Sequence, residues 1–237
     1  MSLLVSASLG QTLPDPLQPL VGQKLILLHL GDLTETSIKK RDLATVEGNC
    51  DVAVLVRKAS FDKGKARLDL EDIGTPSIAG VQNECRKIQI GFSLEITDFA
   101  PKDTPDSVSA SVGQLLLTPE QYLVAHGIAF DLQPGPEHEK AISAKSPAKV
   151  DPPKLLLSID PRFSEEARRE KYQGVVTFRV IVGTDGRVHN AQVSFAAGRG
   201  LDEHALKVLS MWRFEPAHKS GEPVAIYVSL EINFHLH

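Results

Sequence analysis

Along residues 87–97 apolar and polar positions alternate without a break: Ile88, Ile90, Phe92, Leu94 and Ile96 fall on one side, Gln89, Gly91, Ser93, Glu95 and Thr97 on the other. A period of two predicts a strand with one buried face. Short apolar runs at 25–30 and 51–56 predict two more strands. After a turn at 61–64, Ala66, Leu68 and Leu70 alternate with Arg67, Asp69 and Glu71 as a half-buried hairpin partner. One helix interrupts this pattern. Thr118 can cap it, Pro119 suits its first turn, Gln121 completes a capping box, Tyr122, Leu123 and Ala125 supply an apolar side, and Gly127 stops it. Residues 22–132 are therefore predicted to form a mainly antiparallel β domain with one short helix.

The pattern weakens on either side. Residues 11–21 carry Pro14, Pro16 and Pro19 and predict an extended lead-in. Residues 3–10, apolar and then small, read as the tail of a secretory signal without its positive beginning, or as a frayed apolar terminus. Together 1–21 are taken as signal remnant and lead-in. Residues 133–153 combine Pro134, Pro136, Pro147, Pro152 and Pro153 with small and charged residues and lack apolar periodicity, which predicts a linker.

Beyond it, residues 154–237 again show order. Ser164 can cap a polar helix over 164–172 that Gly174 ends. Val176, Phe178, Val180 and Val182 form one apolar strand face, Thr184-Asp185-Gly186 turns the chain, and 187–195 returns as a hairpin. Asp202 is placed as the cap of an amphipathic helix whose face is Leu201, Ala205, Val208, Leu209 and Trp212. The final strand carries Val224, Ile226, Val228, Leu230, Ile232, Phe234 and Leu236 on one face. Thirteen residues would extend about 43 Å.

Composition narrows the chemistry. The chain has 237 residues, 42% of them hydrophobic and 24% charged, which fits two folded domains. Its net charge of -4 lies wholly in residues 1–150, because 11 basic and 11 acidic residues balance in 151–237. Without a basic stripe, and with nine Phe, three Tyr and one Trp, nucleic acid is not an expected partner. No stretch reaches the roughly 18 apolar residues that span a bilayer. The eight His follow no ligand spacing, and His235 and His237, on one strand face, read as solvated; neither metal nor cofactor is expected. No nucleophile motif or phosphate-cradling loop occurs, so no catalytic residue is assigned; Asp51, Asp69, Asp72 and Glu84 are the acids a catalytic site would have to assemble. Cys50 and Cys85 each stand before a strand-like segment and fit either a bridge or two reduced thiols.

The C-terminal signposts fall in a specific order: Asp160-Pro161 and Ala167 ahead of Gly174-Val175-Val176, then Val180, Asp185-Gly186-Arg187-Val188, Gly198 to Leu201-Asp202, Ala205, Trp212-Arg213-Phe214-Glu215-Pro216-Ala217 and Gly221-Glu222-Pro223-Val224. In that order, across residues 152–237, the chain resembles the C-terminal domain of the TonB family of periplasmic energy transducers. The resemblance implies an α+β chain whose last domain is an antiparallel sheet of two or three strands with two helices. It implies the periplasm, and with it a Cys50–Cys85 disulfide closing a loop of about 35 residues, worth about 3–4 kcal/mol. It also implies a partner: an extended segment of an outer-membrane transporter or another envelope protein, added as a strand to the sheet edge. The edge expected to receive it is Val224, Ala225, Ile226, Tyr227, Val228, Ser229, Leu230 and Glu231, with Tyr227 and Ser229 lending selectivity. Closure of a homodimer through the same edge is the alternative. The family pattern also has an anchor helix and a long Pro/Lys/Glu-rich spacer, which these residues do not display, so peptide binding is the role they imply.

Overall fold

The computed structural model describes residues 15–28, 38–39, 51–79, 92–96, 105–128, 141–143 and 150–235. After a short 3-10 turn at Gln18–Leu20, the first half contains β1 (Lys24–Leu27), β2 (Ile38–Lys39), β3 (Val52–Asp62), β4 (Lys65–Ile78), β5 (Phe92–Ile96), helix α1 (Pro105–Gly113), β6 (Leu116–Leu117) and helix α2 (Pro119–Ala125). Then follow β7 (Ile142–Ser143), β8 (Lys154–Pro161), helix α3 (Glu165–Glu170), β9 (Gly174–Val182), β10 (Val188–Phe195) and helix α4 (Leu201–Leu209). The chain finishes through β11 (Arg213–Glu215), β12 (Ala217–Lys219), β13 (Glu222–Val224) and β14 (Ile226–Phe234). The class is α+β, mostly sheet.

The run at β3 is continuous rather than alternating because both faces of its sheet are covered. Val52, Val54 and Val56 join Leu25, Leu27, Ala66, Leu68, Leu70 and Leu94 in one core, closed by Val108 and Val112 of α1. Ala53 and Leu55, with Ile26, point the other way into a second core, where they meet Phe178, Val180 and Val182 of β9 and Leu201, Ala205, Val208 and Leu209 of α4. A strand covered on both faces needs apolar residues at every position. The C-terminal module is what covers the second face.

Backbone pairing reinforces that packing. The large sheet runs β11-β8-β4-β3-β1-β6, so β8 and β11, from the C-terminal module, extend the sheet of the first half. β8 pairs antiparallel with the far end of β4, from Gly74 opposite Pro161 to Ile78 opposite Leu157. The module's own sheet is β10-β9-β14-β7. Side chains stitch the seam as well. Lys207 Nζ lies 2.8 Å from Glu71 Oε1, and Lys24 donates to Ser210 at 2.7 Å.

Several local readings need correction. The capping box of α2 forms as expected, with Gln121 N–H donating to Thr118 Oγ1. Asp202 does not cap α4. Gly200 holds that place at φ 73, and the Asp202 carboxylate instead accepts the Ala197 and Gly198 N–H groups at 2.8 Å each. The polar helix α3 stops at Lys171 in the left-handed region at φ 51, and Gly174 opens β9. The first half has a second helix, α1, whose Ser-rich sequence carries little periodicity. The expected linker contains β7, and β8 starts immediately after it. The last strand begins at Ile226, because Val224 is spent pairing with Ala217 in a separate β12–β13 hairpin turned by Ser220 and Gly221 at φ 54 and 88. Residues 29–30, 87–91 and Thr97, Leu236, Cys50 and Cys85, and with them the expected disulfide, lie outside the described residues.

At Gly74 the two halves approach closely. A Cβ there would sit 2.4 Å from the Asp160 carbonyl oxygen, and backbone cannot swing aside as a flexible side chain can. Gly74→Ala is expected to destabilise the protein by about 2–3 kcal/mol in urea unfolding. Gly113→Ala, in α1 with nothing within 4 Å, should be neutral or stabilising by up to about 1 kcal/mol. Equal stability of the two variants would contradict the tight β4–β8 approach.

Candidate partner-binding edge

β14 pairs with β9 over its whole length without a register shift, from Ile226 opposite Val182 to Phe234 opposite Gly174. Its apolar side chains face the shared core: Ile226, Ile232 and Phe234 are buried, Val228 and Leu230 half-buried. Phe163 meets the Phe234 ring edge-on at 5.4 Å and anchors the end of the strand. The opposite face carries Tyr227, Ser229, Glu231 and Asn233, and the Arg179 guanidinium lies 4.9 Å above the Tyr227 ring.

On its outer side β14 meets only β7 among the described residues, parallel, with Ile226 opposite Ile142 and Tyr227 opposite Ser143. Two hydrogen bonds fix which backbone groups face outward. Ile142 N–H donates to the Ala225 carbonyl at 2.8 Å, so Ala225 and every second residue after it point away from β9. Gly183 N–H donates to Arg187 at 3.0 Å, which turns the odd residues of β9 toward β10 and the even ones toward β14, the same phase. The outward groups of β14 are thus those of Tyr227, Ser229, Glu231 and Asn233. Val228, Leu230 and Ile232 spend theirs on β9.

The module's other edge is different. β10 shifts register twice against β9 and takes Asn190 through φ 47. Bulges of this kind twist an edge away from incoming strands. β14 has no bulge and no proline.

The eight residues expected at this edge divide accordingly. Ile226 to Glu231 lie on β14. Val224 belongs to β13, and Ala225 contributes its carbonyl to β7. Sequence reasoning missed β7, whose two residues carry no pattern inside a proline-punctuated stretch. It also missed Glu120. That carboxylate, on α2, accepts Arg213 Nε at 2.8 Å and Arg187 Nε at 3.1 Å, tying the β9–β10 turn and β11 to the first half. Burial disfavours charge on Glu120, but the two guanidiniums hold its carboxyl below the usual range. Among the described residues no three His, Cys, Asp or Glu side chains converge as metal ligands.

Residues 159–236 match the family model described as the C-terminal of the Gram-negative bacterial TonB protein. Over that stretch the C-terminal module is similar to the TonB C-terminal domain family. The chain is 30% identical over 92 residues to Protein TonB of Vibrio cholerae, covering 38% of each chain. It is 34% identical over 77 residues to Protein tonB2 of Pseudomonas aeruginosa, covering 32% of this chain and 28% of that protein. It therefore spans well under half the length of the curated relatives it matches. Among the acids singled out in the sequence, Asp51 and Asp72 hold structural hydrogen bonds. Asp51 accepts the Tyr122 hydroxyl at 2.9 Å, and Asp72 accepts Arg162 Nε at 2.9 Å on both oxygens. Glu84 lies outside the described residues.

Asp72 gives this seam a pH signature. Burial pushes its carboxyl up to about 6, against the pull of Arg162 and the Gly74 N–H. The folded state then binds more protons than the unfolded one, whose Asp titrates near 3.9. The stability from this group is fully present below about pH 4 and is lost as pH rises through 6. Asp72→Asn should flatten the stability profile between pH 4 and 6 in urea titrations; an unchanged slope would contradict the assignment.

Proposed function

We propose that this chain acts in TonB-type transport across the bacterial envelope, in the periplasm. Its C-terminal module captures an extended segment of an outer-membrane transporter, or of another envelope protein, by adding it as a strand on β14. The family match supports the transport setting. The observation that carries the binding mode is the outer side of β14: nine residues, unbulged, held rigidly by β9 behind, with Ser229, Glu231 and Asn233 beyond the reach of β7. Main-chain groups supply affinity in such a union, and side chains along the edge select. Tyr227, stiffened by Arg179, and the exposed Ser229 are placed to select.

The reading is tested by calorimetric titration with ten-residue peptides copied from the extended N-terminal segments of outer-membrane transporters. Ser229→Pro deletes an outward N–H and leaves the β9 ladder intact, so binding should weaken at least tenfold, about 1.4 kcal/mol, while the melting temperature moves by only a few degrees. Val228→Pro deletes an inward N–H and should destabilise the domain itself. Full peptide affinity in folded Ser229→Pro would contradict strand addition at this edge.

A further inference from the structure

β7 occupies the first part of the same edge, and it comes from the stretch of this chain that joins α2 to β8. We infer that residues 141–143 act as an intramolecular cap on β14, a built-in competitor that an incoming strand must displace to pair along the whole edge. This rests on the strand-addition reading above.

The geometry sets how the exchange proceeds. The cap takes the Ala225 carbonyl through Ile142 N–H at 2.8 Å, and its register places the outward Tyr227 amide against it. Ser229, Glu231 and Asn233 stay open among the described residues. An incoming strand therefore seats first at the Phe234 end, where it meets no competitor among the described residues, and zips toward Ile226 by replacing β7 bond for bond. The cap is built to yield. It is two residues long, its parallel pairing is less stable per residue than an antiparallel ladder, Ile142 is half-buried and Ser143 is exposed. With β7 docked, residues 141–143 are held at Ala225; with β7 displaced, they leave the edge. Partner capture and release of β7 are then one equilibrium.

A pair of substitutions tests this in the full chain. Ile142→Pro removes the N–H that reaches Ala225, while Ile142→Ala keeps it and trims only the side chain. Amide hydrogen exchange at Tyr227 should accelerate about fivefold in Ile142→Pro and remain protected in Ile142→Ala, with the β9-facing amides of Val228 and Leu230 unchanged in both. The transporter peptide used above should bind Ile142→Pro about fivefold more tightly than the unsubstituted chain, since the cap no longer competes. Unchanged exchange at Tyr227 overturns the proposal. So does accelerated exchange with equal peptide affinity, in which case strand addition stands and the cap merely covers the edge. If Tyr227 is deprotected yet no form binds the peptide, strand addition itself fails and the competition with it.

Discussion

A β-strand carries hydrogen-bonding groups along both of its sides, and each side must find protein or water. Two strands of this module resolve that demand in opposite ways. β8 spends one side on β4 and the other on β11, and is thereby committed to the sheet of the first half. β14 spends one side on β9 and little of the other: only Ile226 and Tyr227 have a described neighbour there. Burial of Ile226, Ile232 and Phe234 prevents the strand from twisting away from its position, so its outward groups stay presented in a straight row.

That presentation depends on the first half of the chain. The module is not a separate bead. Its helix α4 and strand β9 close the second face of the β3 sheet, and Arg213 and Arg187 converge on Glu120 across the seam. Replacing one partner of such a buried cluster would leave charge without compensation, so the contact specifies orientation more firmly than it adds net stability. The first half and the sheet that holds β14 are joined through this shared core.

Much of this was legible in the residues themselves. The apolar alternation of Val176 to Val182 and of Ile226 to Phe234 gave β9 and β14, and Thr118 with Gln121 announced α2 through a cap that forms in the structure. Other features were illegible for identifiable reasons. β8 follows two prolines and carries Leu155-Leu156-Leu157, a run whose partner lies on β4, nearly 80 positions earlier, and pairing at that distance leaves no local period. Asp202 sits where a cap is expected but turns back onto Ala197 and Gly198, a choice set by the loop rather than by the helix. β7 is two residues without pattern. The orientation of Ser229 against Val228 is a matter of phase, fixed by single hydrogen bonds at Ala225 and Gly183, and alternation alone cannot decide which residues look outward.

The central claim is that the odd residues of β14 are the ones that receive a partner strand. Residue-resolved amide exchange of the full chain, with and without saturating transporter peptide, addresses it directly. The expected result is new protection at Ser229, Glu231 and Asn233, with Val228, Leu230 and Ile232 already protected and unchanged. Protection appearing on β10 at Val193 instead, or bound peptide that leaves the β14 amides as they were, would contradict the account.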